Sequence, residues 1–173
     1  PFKFPKQFPS PITAEGLVDW GRRIIDATAD LVCCYKPNAA FYEQFGAPGW
    51  EALRETIAAV PDHIPVLLDA KRGDIGNTGR MYAEAFFQQL QCDAVTVAPY
   101  MGKDSVTPFL GFDGKWAIVL ALTSNPGSAD FQRDLQETSG EPLWEKVLRV
   151  VQTWGTPDNL MFVTGATHPN DFA

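Results

Sequence analysis

A chain of 173 residues is long enough to bury one sizeable core. Its 45% hydrophobic and 20% charged residues are ordinary for a globular domain, and a net charge of −7 argues against a nucleic-acid partner. No apolar run approaches the ~20 residues of a membrane helix, and no charged-then-apolar leader opens the sequence. Cys33, Cys34 and Cys92 give neither a disulfide framework nor a zinc-ligand spacing, so buried thiols in a reducing cytoplasm are expected. His63 and His168 lie far apart in sequence, and no Ser-His-Asp or His-rich metal pattern is present.

In chain order, the Pro- and Phe-rich residues 1–12 suggest an extended lead-in. Leu17, Trp20, Ile24, Ala27 and Leu31 then follow helical spacing from Thr13 to about Ala29. Residues 31–36 read as a strand stopped by Pro37, with Lys36 at its C-terminal end. A helix carries Trp50, Leu53, Ile57 and Val60, and a central strand covers 64–70. Asn77 or Thr78 is placed to cap the next helix, which runs to about Gln91 with Tyr82, Phe86 and Leu90 on one stripe. A third strand is expected at 93–98, a short helix near 104–110 and a fourth strand at 116–122. A helix with Trp144, Val147, Leu148, Val151 and Trp154 precedes a fifth strand at 160–164.

Strands alternate with helices, and each strand is a continuous apolar run, as in a parallel sheet covered by helices. A doubly wound sheet and a (β/α)8 TIM barrel both satisfy this pattern. No Gly-rich phosphate loop follows the first strand. Lys36, Asp69, Lys71, Tyr100, Ser124 and Thr164 fall instead at the C-terminal ends of several strands, where a TIM barrel carries its active site. The expectation is therefore one α/β-barrel domain over 1–173, incomplete, with about strands 2–6 present and the first and the C-terminal strands lacking.

The most informative stretch is Asp69-Ala70-Lys71-Arg72-Gly73-Asp74-Ile75-Gly76-Asn77-Thr78. Period-two alternation puts Leu67, Asp69 and Lys71 on one strand face, with Asp74 beyond on a Gly-flanked turn. Charges in such apolar surroundings need partners. Taken alone, a D-x-K is a strand-end salt bridge. The longer run resembles the active-site signature of the orotidine 5'-phosphate decarboxylase family. Tyr35-Lys36-Pro37-Asn38 and Leu122-Thr123-Ser124-Asn125-Pro126-Gly127 are similar to the bacterial branch called type 2.

The resemblance implies metal- and cofactor-independent decarboxylation of orotidine 5'-phosphate to UMP in a cytoplasmic enzyme. It maps a Lys-Asp-Lys-Asp array onto Lys36, Asp69, Lys71 and Asp74, with Lys71 as proton donor, and gives Ser124 a contact to the pyrimidine. It further implies a homodimer with shared sites, in which Asp74, Ile75 and Thr78 reach into the neighbouring subunit. The family's ribose-binding Asp after the first strand, and its phosphate-holding Gln and Arg after strands seven and eight, have no counterpart in these residues. A rival on the same barrel is a Mg²⁺-dependent decarboxylase or aldolase of keto-sugar phosphates, which also carries D-x-K-x-x-D but adds a further acid for metal. Here Ile75 follows Asp74, which favours the metal-free reading. A catalytically silent barrel used for binding is disfavoured because all four charged positions are intact.

Overall fold

The computed structural model describes Phe8 and residues 12–167. Of the expected lead-in only Phe8 and Ile12 are among them, and His168 lies outside the described residues. Helix α1, Ala14–Thr28, starts where predicted: Thr13 is extended and its hydroxyl accepts the Gly16 N–H at 3.1 Å. Its buried Leu17, Val18 and Ile25 face α3, Ala47–Ala58, which contributes Ala52, Leu53, Thr56 and Ile57. Between them lies a single turn, α2, Ala40–Glu43.

Four strands, β1 Leu67–Arg72, β2 Ala94–Val97, β3 Trp116–Leu122 and β4 Leu160–Thr164, pair in parallel in chain order. Leu68, Val95 and Val119 of three neighbouring strands are fully buried in one apolar cluster with Leu53, Phe86, Phe109 and Val151. A parallel sheet buried in this way, with helical segments between its strands, is the α/β architecture expected, and the barrel is incomplete. Among the described residues, no helix is long and apolar enough to cross a membrane.

The strand expected over 31–36 does not form as such. Its end runs beside β1 as two isolated parallel bridges, Tyr35 with Val66 and Asn38 with Asp69. The Leu67 N–H donates to the Tyr35 carbonyl at 2.8 Å and the Asp69 N–H to the Pro37 carbonyl at 2.9 Å. Pro37 has no N–H to return, and Leu31 is 77% exposed, so only the C-terminal part of this apolar run is held by a neighbour. The segment nonetheless takes the predicted place at the head of the parallel order.

Two helix expectations are also corrected. Helix α4, Gly76–Glu84, has Ile75 as its N-cap and no side-chain cap bond, so neither Asn77 nor Thr78 caps it. From Ala85 to Gln89 it widens into a π-helical turn, and both Phe86 and Phe87 are buried there. The short helix near 104–110 is two 3₁₀ turns, Lys103–Ser105 and Thr107–Phe109. Helix α5, Leu143–Val151, carries Trp144, Val147, Leu148 and Val151 as expected, but ends before Trp154, which lies in the following turn. The cysteines are free, but only Cys92 is buried; Cys33 is exposed and Cys34 intermediate. Burial, with Asp93 beside it, pushes the Cys92 thiol up to about 12.

The loop between β1 and α4 is folded tightly onto the helix it leads into. At Gly79, buried in α4, a Cβ would stand 2.4 Å from the Asp74 carbonyl oxygen and 3.0 Å from Pro108 Cγ. Backbone cannot yield as a flexible side-chain tip can, so Gly79→Ala should destabilise by about 1–3 kcal/mol through overpacking. Urea denaturation of the variant beside the parent measures this, and equal midpoints would mean that the loop has room to move away.

Candidate active site

Strand β1 departs from a regular ladder at the residues that carry its charges. Leu68 is paired with Val95 and Arg72 with Val97, so β1 covers in four steps what β2 covers in two. The slack is taken up at Ala70 and Lys71, whose N–H groups donate to the Thr96 hydroxyl at 3.0 and 2.9 Å. Lys71 has φ 50, in the left-handed region, which costs a non-glycine residue roughly 1–2 kcal/mol. Strict alternation therefore does not describe this strand. Asp69 and Lys71 still meet, because the bulge redirects the lysine.

At the centre lies Asp69, whose side chain is 9% exposed. Its Oδ2 accepts from Lys36 Nζ at 2.9 Å and Asn38 Nδ2 at 3.4 Å. Its Oδ1 accepts from the Thr96 hydroxyl at 3.1 Å and from Lys71 Nζ in a short ion pair. A carboxylate offers about four lone-pair positions, and here four donors fill them. Burial pushes the Asp69 carboxyl up, but the hydrogen bonds and charges of Lys71 and Lys36 outweigh it and hold the group below its ordinary value. The lysine side chains are about half exposed, 54% for Lys36 and 49% for Lys71. The acid is fixed from beneath while its cations face outward.

The arrangement is braced from behind by Arg72. Its guanidinium pairs with Glu43 of α2, donates to the Ala70 carbonyl at 2.7 Å and lies 5.6 Å from the ring centres of Tyr82 and Phe86.

Lys36, Asp69 and Lys71 are thus brought together as the sequence led one to expect, and Asp74 is not. Its Oδ1 accepts the N–H of the adjacent Ile75 at 2.8 Å, and among the described residues it forms no ion pair. Ile75 and Thr78 are exposed at the start of α4. Ser124 is exposed in the loop after β3, at the same end of the parallel sheet as Lys71. Gly165, just past β4, closes on it: the Gly165 N–H donates to Leu122 at 2.8 Å, and a Cβ there would lie 2.9 Å from the Ser124 nitrogen. Gln132 ties this loop to itself by accepting the Thr123 N–H at 2.7 Å. Thr96 and Asn38 were missed as functional candidates. The available signal for Thr96 was one hydroxyl inside the apolar run of β2. Among the described residues, no group of three or more His, Cys, Asp or Glu could hold a metal ion.

Comparison with known proteins places this geometry in context. Residues 21–171 match the model of the orotidine 5'-phosphate decarboxylase / HUMPS family. An orotidine 5'-phosphate decarboxylase of Phocaeicola vulgatus is 54% identical over 156 residues, 88% of this chain and 57% of its own. One from Bacteroides fragilis is 52% identical over 167 residues, 95% of this chain and 59% of its own. The chain thus spans under two thirds of the length of these relatives. The solved structure of Leishmania donovani OMP decarboxylase superposes with a TM-score of 0.89 at 45% identity, covering 95% of this chain and 65% of that one.

A carboxyl held below its ordinary pKa stabilises the fold fully above its unfolded value, about pH 4, and loses that contribution as pH falls through the lower folded value. Asp69→Asn removes the titration. Below about pH 4 its stability, measured by chemical denaturation, should fall less steeply with pH than the parent's. Parallel acid limbs would show that Lys36 and Lys71 do not hold the carboxylate charged.

Proposed function

Because the chain belongs to the orotidine 5'-phosphate decarboxylase / HUMPS family, we propose that the protein of which these residues form a barrel domain converts orotidine 5'-phosphate to UMP. The observation that carries this reading is the buried Asp69 held between Lys36 and Lys71 at the rim of the sheet. In the proposed reaction the C6–carboxylate bond breaks, CO₂ leaves and the electron pair stays on C6. That lone pair lies in the ring plane, so the ring π system delocalises it little. A fixed cation must stabilise it, and Lys71 Nζ serves, then gives its proton to C6 and recovers one from solvent. Asp69 would sit near the departing carboxylate, and it keeps Lys71 charged and aimed. Two unit charges ~4 Å apart interact by about 4 kcal/mol at an effective dielectric near 20, enough to matter over powers of ten in rate. Ser124 takes the contact to the pyrimidine.

We place the reaction in the cytoplasm as a step of pyrimidine biosynthesis, without metal or organic cofactor. The Mg²⁺-dependent keto-sugar alternative has less support: the relatives at about half identity are named decarboxylases of orotidine 5'-phosphate, and Ile75 stands after Asp74. In the full-length protein, Lys71→Ala should remove UMP formation, by at least about a thousandfold in kcat. The chain should still fold, with a lowered thermal transition because the buried Asp69 loses one of its two cations. The parent's activity should survive EDTA. A loss of only a few-fold would mean that the cation is misassigned, and a loss of parent activity in EDTA would favour the metal-dependent reading.

Asp74, Ile75 and Thr78 are assigned to the site of a second subunit. In support, Asp74 makes no ion pair with Lys36 or Lys71 of its own chain, and α4 opens with an exposed surface that includes Ile75 at 49% and Met81 at 54%. A two-fold contact would present this patch twice. Mixing inactive Lys71→Ala and Asp74→Ala subunits should then return up to about a quarter of parental activity, since random pairing makes half the dimers mixed, each with one intact site. Mixtures that exchange subunits yet stay inactive would return Asp74 to its own barrel.

A further inference from the structure

We propose that Thr96 is a positioning residue of this site, the single hydroxyl that fixes both the Asp69 carboxylate and the backbone from which Lys71 projects. The inference rests on the decarboxylase reading for its kinetics, and on geometry alone for its structural part. Thr96 is 3% exposed in β2, between Val95 and Val97, both fully buried. A hydroxyl has one proton to give and two lone pairs. Here the proton goes to Asp69 Oδ1 at 3.1 Å, and the lone pairs take the N–H groups of Ala70 and Lys71 at 3.0 and 2.9 Å. Its hydrogen-bonding capacity is fully used, and all of it is spent on three consecutive residues of β1.

Those two N–H groups lie where the register slips, between the Leu68 and Arg72 pairings, and both are met by the same side-chain oxygen. The hydroxyl stands in for the ladder and holds Lys71 at φ 50. It also fixes the direction of the acid. Lys36 Nζ and Lys71 Nζ, at the ends of long half-exposed stems, can follow Asp69 wherever it turns. Thr96, on a short side chain of a central strand, cannot. Thr96 lies beneath the carboxylate and away from the mouth, so it acts on the reacting groups through Asp69 and Lys71 and is not itself a catalytic residue.

Thr96→Val keeps shape and removes the hydroxyl, leaving the buried Ala70 N–H, the part-buried Lys71 N–H and one carboxylate position without this partner. In the full-length protein kcat should fall on the order of ten- to a hundredfold, the equivalent of one hydrogen bond to a charged group. KM for orotidine 5'-phosphate should stay within about threefold. Thr96→Ser, which retains the donor and both lone pairs, should restore most of the rate. Carboxylate-resolved NMR should show Asp69, which faces Lys36, Lys71, Asn38 and Thr96, titrating at higher pH in Thr96→Val than in the parent. If Thr96→Val does not fold, Thr96→Cys, with a similar volume and only a weak S–H donor, is judged by the same criteria. A folded variant as fast as the parent, a Ser variant as slow as the Val one, or an unmoved Asp69 titration would each overturn the proposal. A parent that does not decarboxylate orotidine 5'-phosphate would overturn the functional reading instead, and the Asp69 titration would then decide the role of Thr96 alone.

Discussion

A carboxylate taken out of water has to be met by donors, and the geometry around Asp69 follows from that requirement. Its four partners come from three adjacent pieces of chain: Lys36 and Asn38 from the bridged segment beside β1, Lys71 from β1 itself and Thr96 from β2. The relative register of three neighbouring elements is therefore coupled to one side chain. The coupling reaches further through Arg72, which ties β1 to Glu43 of α2 and to the aromatic rings of Tyr82 and Phe86. The exposed ion pairs elsewhere, such as Arg23 with Asp19 on α1, are of the kind that contributes little. The Asp69 cluster differs because its acid is buried, so removing one donor strands a charge.

Where the sequence was legible, the reason was length and enclosure. Residues 116–122 are seven apolar residues between turns, and β3 occupies that span. The run at 31–36 looked equally apolar, but apolarity reports expected burial and says nothing of how many neighbours a strand will have. With a partner on one side and Pro37 at its end, that run keeps one bridge, at Tyr35, and a second follows at Asn38, leaving Leu31 and Cys33 outside. The α4 entry failed differently: Asn77 and Thr78 have capping chemistry, yet the chain turns into the helix one residue before them, at Gly76, where φ is 55. Alternation brought Asp69 and Lys71 to one face, and they are bonded, but through a bulge that breaks alternation. A bulge is a relation between two strands, so neither strand's own sequence announces it. For the same reason Thr96 could be seen as an odd hydroxyl in β2 and not as the partner of β1.

The left-handed Lys71 is a local violation of the rules that the rest of the fold obeys. Non-glycine residues held at positive φ persist where their surroundings over-determine them, and such strain gathers at functional sites. Here the surroundings can be named. The backbone N–H of Lys71 is held by Thr96 and its ammonium by Asp69, and both holders are themselves buried. The lysine is thus pinned at both ends of a side chain that is otherwise half exposed, which lowers the entropy it would lose on meeting a ligand.

Two acids five residues apart, Asp69 and Asp74, end in opposite conditions, and the contrast bears on how an anionic substrate could enter. Every lone-pair position of Asp69 is taken. A lysine ammonium has three N–H donors, however, and Lys36 and Lys71 each give one to Asp69, so an incoming anion can meet a cation without breaking the cluster. Thr96 is buried in β2, and the Asn38 Oδ1 is engaged with the Ala40 N–H at 3.0 Å. Lys36 and Lys71 have half-exposed side chains, and of these Lys71 is the one fixed through its backbone. Lys36 is therefore the cation with the greater freedom to follow an incoming anion. Asp74, held by the neighbouring Ile75 N–H on a turn folded against Gly79, keeps acceptor capacity that no other side chain among the described residues uses. In the shared site proposed above, this acceptor capacity is what Asp74 would offer to the cations of the second subunit.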